Sequence, residues 1–193
     1  MFQVADRLNQ NSTLSEMMRQ EGLRGALGSE YAESVFFLNT HPTEVVTDRL
    51  CNSLSELRRE FPDVRIMLEI HEGAIVEPKS ILSLRELLNE LDISLSYDDF
   101  GAGQGRLVEL GVAPPDVLKF DMAMIRDIDK ASRSKQDLIA SLVRLANDLG
   151  CNPLAEGVET EEESLVCKQM GFCFGQGYLY GKPAPFESPL ATP

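Results

Sequence analysis

Six polar side chains recur where short apolar runs end, and their types suit a reaction that uses a metal ion or acts on a phosphate. They are Asn39, Glu69, Asp98, Lys119, Glu156 and Gln176. Asp98 and Asp99 are the most informative, because two adjacent carboxylates repel each other and a divalent cation is the common remedy. Hard cations such as Mg²⁺ prefer oxygen ligands. Taken alone, an Asp-Asp-x-Gly sequence is also typical of an ordinary turn, since Asp and Gly are turn formers.

Lys119 is unusual because it stands between Leu118 and Phe120 in an apolar run. A lysine in such a run is rarely buried without an anionic partner. That partner is either a bound phosphate or a neighbouring carboxylate in a structural salt bridge, and the sequence leaves both open.

The apolar runs predict six strands, and amphipathic segments between them predict helices. The predicted strands are Val35–Asn39, Arg65–Ile70, Leu95–Asp98, Val117–Asp121, Cys151–Ala155 and Phe172–Leu179. Strand and helix alternating every ~20 to 35 residues indicate a parallel sheet with crossover helices. In a βα barrel the carboxyl ends of the strands form one mouth, where barrel enzymes place their chemistry.

Local patterns give more detailed expectations. Side chains alternate along a strand, so Asp98 and Asp99 would point to opposite faces until the glycines that follow let the second carboxylate turn back. Thr13 and Glu16 have the spacing of a capping box, which predicts a helix to about Leu27.

Three further helical patterns carry expectations of their own. Pro42 is expected to open a helix with the apolar face Leu50, Leu54, Leu57 and Phe61, and a later helix is expected to bury Leu138, Leu142, Leu145 and Leu149. Thr160 and Glu163 form a second capping box, and Glu161–Glu163 are interpreted as a solvated first turn.

Composition excludes several classes of function. The chain has 193 residues, 43% of them hydrophobic, and this favours one globular domain. A net charge of −13 argues against binding a nucleic acid polymer or an anionic membrane. Two histidines exclude a histidine-rich metal site, and four cysteines without a close pair favour reduced thiols in the cytoplasm. No apolar run is long enough for a membrane span.

Six segments, taken together and in order, resemble the EAL family of cyclic di-GMP phosphodiesterases. They are Phe37-Leu38-Asn39, Leu68-Glu69-Ile70-His71-Glu72, Asp98-Asp99-Phe100-Gly101-Ala102-Gly103, Leu118-Lys119-Phe120-Asp121, Ala155-Glu156-Gly157-Val158-Glu159-Thr160 and Gly175-Gln176-Gly177-Tyr178-Leu179. The resemblance implies a TIM-like (β/α) barrel of EAL type, N-terminally truncated, with about six of the eight strands present. It covers one domain, 1–193, with a helical segment 1–28, βα units 29–183 and a Pro-rich tail 184–193.

The resemblance also implies a reaction, the hydrolysis of cyclic di-GMP to linear pGpG with Mg²⁺ or Mn²⁺. By analogy, Asn39, Glu69 and Asp98 would hold one metal, and Asp98 would bridge to a second that Asp99 and Glu156 bind. Lys119 would position the attacking water or steady the phosphate, and Glu156 would be the general base. Glu159 and Gln176 would complete the catalytic and substrate-binding mouth, and Glu72 would brace the loop after the Asp pair.

One family feature has no equivalent in this sequence. The family is named for a Glu-Ala-Leu segment on an early strand, whose Glu is a ligand of the first metal. Glu21-Gly22-Leu23 looks similar, but it precedes Asn39 too closely and lies in a predicted helix. We therefore expect the chain to begin after the first two strands, to associate as a homodimer or with another chain, and to hydrolyse cyclic di-GMP slowly or not at all. The alternative function is a cyclic di-GMP-binding or protein-interaction module.

Overall fold

The computed structural model describes residues 10–27, 33–42, 44, 47–71, 74, 78–103 and 107–184. These residues form two compact units, the first up to Leu95 together with Ala184, the second Ser96–Pro183. Of the predicted N-terminal helical segment 1–28, the structure describes residues 10–27. Of the predicted tail 184–193, it describes only Ala184. One domain over the whole chain stays a prediction.

The first unit contains three helices and two complete strands among its described residues. In chain order they are α1 (Asn11–Leu27), β1 (Val35–Asn39), α2 (Asp48–Glu60), β2 (Arg65–His71) and α3 (Pro78–Glu90), after which β3 (Ile93–Phe100) begins. Strands β1 and β2 pair in parallel, with Asn39 opposite Glu69. The predicted order of strand and helix is therefore present in this unit.

The second unit continues the same alternation from the end of β3. It contains α4 (Leu107–Val112), β4 (Val117–Phe120), α5 (Met122–Ile125), a 3₁₀ turn (Ile128–Lys130), α6 (Arg133–Asp148), β5 (Asn152–Ala155), α7 (Glu161–Met170) and β6 (Phe174–Gly175). Its strands lie in the order β3-β4-β5-β6, and each neighbouring pair is parallel. A parallel sheet brings the carboxyl ends of these strands to one edge.

Strand β4 is the centre of the second unit's core, because all four of its residues are buried. The ring of Phe120 contacts Phe100 edge-on at 5.2 Å between centroids and Phe172 at 5.0 Å. Such aromatic pairs contribute roughly 0.5–1.5 kcal/mol each beyond the area that they bury. These contacts fix the backbone that carries Lys119.

Two helix starts differ from the sequence expectations. Helix α1 begins at Asn11, before the predicted Thr13 cap, and the Leu14 N–H donates to the Gln10 carbonyl at 3.0 Å. Helix α2 begins at Asp48 and not at Pro42, because the side chain of Thr47 caps it by accepting from the Leu50 N–H. Four predicted face residues are buried as expected: Leu50, Leu54, Leu57 and Phe61.

The buried face of α6 also differs from the prediction. The helix buries Ile139, Val143 and Ala146, whereas Leu138 is 59% exposed and Leu145 is 40% exposed. The buried residues and the predicted leucines Leu138, Leu142 and Leu145 have the same spacing of four and then three residues. Periodicity alone therefore does not distinguish the two faces. We call Leu138 and Leu145 the α6 leucine stripe.

The last strand is shorter than predicted. It spans Phe174–Gly175, and the chain then turns at Gly177, where a Cβ would overlap the backbone of Val158. Within the described residues, no helix combines the length and the apolar character that crossing a membrane requires.

Candidate functional site

Asp98 and Asp99 lie at the carboxyl end of β3, and the second of them has an unusual backbone conformation. Asp99 has a φ of 61°, and the pairing of β3 with β4 shifts register between Tyr97 and Phe100. The two carboxylates come together as expected, but the change of direction lies at a bulge at Asp99, within the strand and before the glycines. A left-handed conformation at a residue other than glycine costs about 1–3 kcal/mol and tends to occur at functional sites.

Glu156 reaches the same region from the end of β5. Its N–H donates to the carbonyl of Phe120 at 3.1 Å, which continues the ladder between β4 and β5. Gly157 follows with a φ of 67°, and a Cβ there would lie 2.5 Å from the Cβ of Met122. Only glycine fits at this position, so the Glu-Gly sequence places Glu156 at the end of the strand.

The bulge and the glycine turn bring three carboxylates together. Asp98, Asp99 and Glu156 each have an oxygen that lies within 4.8 Å of the others, and all three residues are partly buried. We call these residues the carboxylate cluster. Their side chains offer the oxygen ligands that hard divalent cations prefer.

Lys119 lies beside the cluster and is only 4% exposed. Its Nζ is 2.7 Å from Asp98 Oδ1 and 2.8 Å from Glu156 Oε1. Of the two alternatives left open by the sequence, the salt bridge is present, and its partners are themselves predicted site residues. The ammonium group therefore adds one positive charge between two of the three carboxylates.

The surroundings of Glu156 raise its pKa to about 7. Burial is the largest cause, and the negative charges of Asp98 and Asp99 act in the same direction, while the ion pair with Lys119 opposes them. A carboxyl group with this pKa can bind or release a proton near neutral pH, which is what a general base requires.

The charge of the cluster fits a bound cation. Three carboxylates face one ammonium group, so negative charge remains at the cluster once Glu156 is ionised. The raised pKa of Glu156 reflects part of that repulsion. A divalent cation would relieve it, and Asp98, Asp99 and Glu156 could hold one at these strand ends.

Asn39 and Glu69 lie in the first unit, at the carboxyl ends of β1 and β2. They face each other in the strand register, and Glu69 is buried while Asn39 is exposed. The backbone of Glu69 accepts hydrogen bonds from the Thr40 N–H and hydroxyl at 3.0 and 2.8 Å. Glu72, the predicted loop brace, lies outside the described residues.

Glu159 and Gln176 are placed differently from the cluster. The carboxylate of Glu159 is half-exposed and pairs with the guanidinium of Arg126. The side chain of Gln176 is exposed, and its backbone connects β5 to the turn after β6 by donating to the Ala155 carbonyl at 2.8 Å and accepting from the Val158 N–H at 3.0 Å. Neither residue belongs to the carboxylate cluster in this structure.

Two further groups near these strand ends are not predicted by the sequence patterns. Glu163 was interpreted as part of a solvated turn, yet it is 2% exposed and accepts three backbone hydrogen bonds. Arg19 and Glu44 form a buried ion pair beside the end of β1. The capping-box spacing of Thr160 and Glu163 was the one signal available for Glu163, whereas the partner of Arg19 lies 25 residues away along the chain.

Glu21 lies on the exposed surface of α1. Its carboxylate is 68% exposed on α1 and pairs with Arg24 at 2.6 Å. Glu21-Gly22-Leu23 therefore differs from the Glu-Ala-Leu segment, whose Glu is a metal ligand on a strand.

Comparison with known proteins gives consistent matches. The EAL domain family model matches residues 1–183. The cyclic di-GMP phosphodiesterase RocR of Pseudomonas aeruginosa is 35% identical over 150 residues, which are 76% of this chain and 38% of that protein. The chain thus spans well under half the length of this relative.

Two solved structures illustrate the similarity in fold. A standalone EAL protein from Vibrio cholerae O395, bound to c-di-GMP, has a TM-score of 0.83 and 28% identity, and the match covers 95% of this chain and 79% of that one. BlrP1 of Klebsiella pneumoniae, in a complex with manganese and cyclic di-GMP, has a TM-score of 0.79 and 28% identity, with 90% and 45% covered. These matches confirm the predicted fold class, a TIM-like (β/α) barrel of EAL type with six strands described.

Proposed function

This chain belongs to the EAL domain family, and from that membership we propose that it is a phosphodiesterase domain that hydrolyses cyclic di-GMP to linear pGpG with Mg²⁺ or Mn²⁺, at a low rate in this chain. The observation that carries the proposal is the position of Lys119 between Asp98 and Glu156, next to Asp99. The buried ammonium group of Lys119 among these carboxylates suits a phosphodiester substrate. The negative charge of such a substrate would be neutralised by the ammonium group together with bound metal.

The residue roles follow the family resemblance and are proposals. Asn39, Glu69 and Asp98 would hold the first metal, and Asp98, Asp99 and Glu156 would hold the second. Lys119, Glu159 and Gln176 contact the substrate or the attacking water. Bound divalent cations would lower the pKa of a water ligand and stabilise the charge that develops on the phosphate.

The protein groups of the second unit have chemistry that suits these roles. By the family resemblance, the carboxylate of Glu156 would accept the proton of the attacking water. The Lys119 ammonium group, held by two carboxylates, can donate a hydrogen bond to a phosphate oxygen. The bulge at Asp99 and the turn at Gly157 hold the carboxylates before a ligand arrives, which lowers the cost of organising the site.

The first experiment measures metal binding. Calorimetric titration of the chain with Mn²⁺ or Mg²⁺ should give a binding signal that Asp98→Asn abolishes, because a shared carboxylate ligand is lost. The same change at exposed Asp148, at the end of α6, should leave the signal as it was. If Asp98→Asn and wild type bind alike, the metal lies elsewhere and the proposal fails.

A second candidate function is cyclic di-GMP binding without turnover, as a sensor or protein-interaction module. The exposed, Arg24-paired position of Glu21 favours it, because Glu21 then supplies no ligand to the first metal. Chromatographic detection of pGpG separates the two candidates. Product formation that Glu156→Gln abolishes supports the enzyme, and Mg²⁺-dependent binding without product supports the module.

The remaining proposals concern partners and location. We expect the chain to associate with a second copy of itself or with another chain, and to work in the cytoplasm. Exposed apolar side chains on α6 support the first expectation, whereas the second rests on composition alone.

A further inference from the structure

The carboxylate of Glu163 joins two loops that follow neighbouring strands of the second unit. It lies in the first turn of α7 and is almost fully buried. Both of its oxygens are used, and each faces a different loop. The loop after β5 carries Glu156 and Glu159, and the segment that follows β4 carries Arg126 and Asp127.

One oxygen holds the segment after β4. Glu163 Oε1 accepts the N–H of Asp127 at 2.8 Å. Asp127 has a φ of 52°, a left-handed conformation that is uncommon for a residue other than glycine. Arg126, the preceding residue, pairs with the Glu159 carboxylate on the other loop.

The other oxygen holds the loop after β5. Glu163 Oε2 accepts the N–H of Glu159 at 2.8 Å and that of Thr160 at 3.2 Å. The Thr160 hydroxyl in turn accepts the Glu163 N–H and so completes a capping box. The ordinary cap thus uses one oxygen of Glu163, and the contact with Asp127 is additional.

The environment favours the ionised form of Glu163. Burial acts to raise its pKa, but the hydrogen bonds from the N–H groups of Glu159, Asp127 and Thr160 outweigh burial, and the pKa is lowered. Its place in the first turn of α7 adds the favourable field of the helix dipole. A charged acceptor makes hydrogen bonds about twice as strong as a neutral one.

We propose that Glu163 is a positioning residue that fixes Arg126 and the loop Glu156–Thr160 relative to each other, and thereby holds Glu156 for the reaction. The inference rests on the proposed function for its catalytic consequence. Glu163 itself touches neither substrate nor metal in this role. It acts through the two backbone segments that its carboxylate joins.

The test uses Glu163→Gln, which keeps the shape of the side chain but leaves one acceptor oxygen. A glutamine can preserve the cap at Glu159 and Thr160, but its NH₂ group then faces the N–H of Asp127. We expect hydrogen exchange of the Asp127 amide, measured by NMR, to accelerate about 10- to 100-fold. The Glu156 amide, which donates to Phe120, should keep its protection.

Hydrolysis supplies the second measurement. We expect kcat to fall about 10- to 100-fold in Glu163→Gln, as is usual when a residue that orients a site is changed, with KM altered less than about threefold. Should the wild-type chain form no pGpG, the proposed function fails, and Mn²⁺ affinity replaces kcat. An affinity lowered about tenfold would then support the inference, and an unchanged affinity would overturn it.

Two controls separate this role from a general loss of stability. Glu162→Gln makes the same change in charge at the exposed neighbouring position and should alter neither exchange nor kcat. Thr160→Ala removes the hydroxyl half of the cap but leaves both oxygens of Glu163 in place, so it should lower the melting temperature without accelerating exchange at Asp127. Unchanged exchange at Asp127 in Glu163→Gln would overturn the inference. It would also be overturned if exchange at Asp127 accelerated in Glu163→Gln but the kcat of this variant equalled that of the Glu162→Gln control.

Discussion

Lys119 and Glu156 show how single residues set the chemistry of the carboxylate cluster. The ammonium group of Lys119 lies within 2.8 Å of an oxygen of both Asp98 and Glu156. Even so, the pKa of Glu156 stays near 7, because burial and the nearby Asp98 and Asp99 charges outweigh this pairing. The cluster is therefore less stable in its fully ionised form, and protonation or a bound cation relieves that cost.

A pH dependence of stability follows from the raised pKa of Glu156. The pKa rises from 4.5 to about 7 on folding, so the folded metal-free chain binds this proton more tightly than the unfolded one between those pH values. The resulting stabilisation is full below the unfolded pKa and is lost as pH rises through about 7. We expect Glu156 to lower the free energy of unfolding by up to about 3 kcal/mol between pH 5 and pH 8.

Urea unfolding in the presence of a chelator measures this effect. The pH profiles of wild type and Glu156→Gln should diverge, with the variant losing less stability as pH rises, because glutamine does not titrate. Adding Mn²⁺ at pH 8 should restore stability to wild type more than to the variant. Parallel profiles would show that Glu156 titrates normally in the folded chain.

At the scale of secondary-structure elements, buried ion pairs and caps hold the strand ends. In the first unit, Arg19 of α1 donates to the carbonyl of Asn39 at 3.1 Å and to the carboxylate of Glu44 at 3.0 Å. Glu44 also accepts the N–H of His41 at 2.9 Å. Helix α1 thus fixes both the end of β1 and the loop that follows it.

We predict a large loss of stability when one partner of this ion pair is removed. Arg19 and Glu44 are 3% and 2% exposed, so Arg19→Met leaves a buried carboxylate without its counter-ion. Such changes cost about 3–5 kcal/mol. Denaturant unfolding measures the loss, and it should be smaller if Glu44→Gln is added to Arg19→Met.

The matched control is a second arginine of the same helix. Arg24 pairs with Glu60 on the surface, where the arginine is 46% exposed. Arg24→Met should therefore cost less than about 1 kcal/mol, the usual range for exposed ion pairs. Similar losses in Arg19→Met and Arg24→Met would show that burial of the first pair does not determine its contribution.

At the scale of the whole molecule, exposed apolar surface bears on assembly. The α6 leucine stripe lies on a helix that buries Ile139, Val143 and Ala146 in the second unit, and Val35 and Phe37 of β1 are each 40% exposed in the first. Covering a leucine side chain contributes about 1.5–3 kcal/mol, so an exposed stripe favours association.

We predict self-association at micromolar concentration. Sedimentation velocity should detect a dimer or a larger species, and the double variant Leu138→Gln with Leu145→Gln should shift it toward monomer. Leu165→Gln, a change at an exposed leucine of α7, is the control and should have less effect. A wild-type chain that sediments as monomer throughout would contradict this prediction.

The sequence by itself determined the alternation of strands and helices, the family and the residues at the strand ends. These features are local: apolar runs, capping spacings and glycine turns act over a few residues and are visible in the chain. The grouping of Asp98, Asp99 and Glu156 as metal ligands came instead from the family resemblance. The six motifs in family order also anticipated the fold class that the comparisons confirm.

Only the tertiary structure decided which groups meet. The bulge at Asp99, the two partners of Lys119, the buried face of α6 and the burial of Glu163 each depend on a surface contributed by a distant part of the chain. The same helical spacing fits either face of α6, and a glutamate in a first turn is solvated unless another loop packs against it. Packing selects among arrangements that local sequence leaves equivalent, because the free energy of burial depends on what lies opposite.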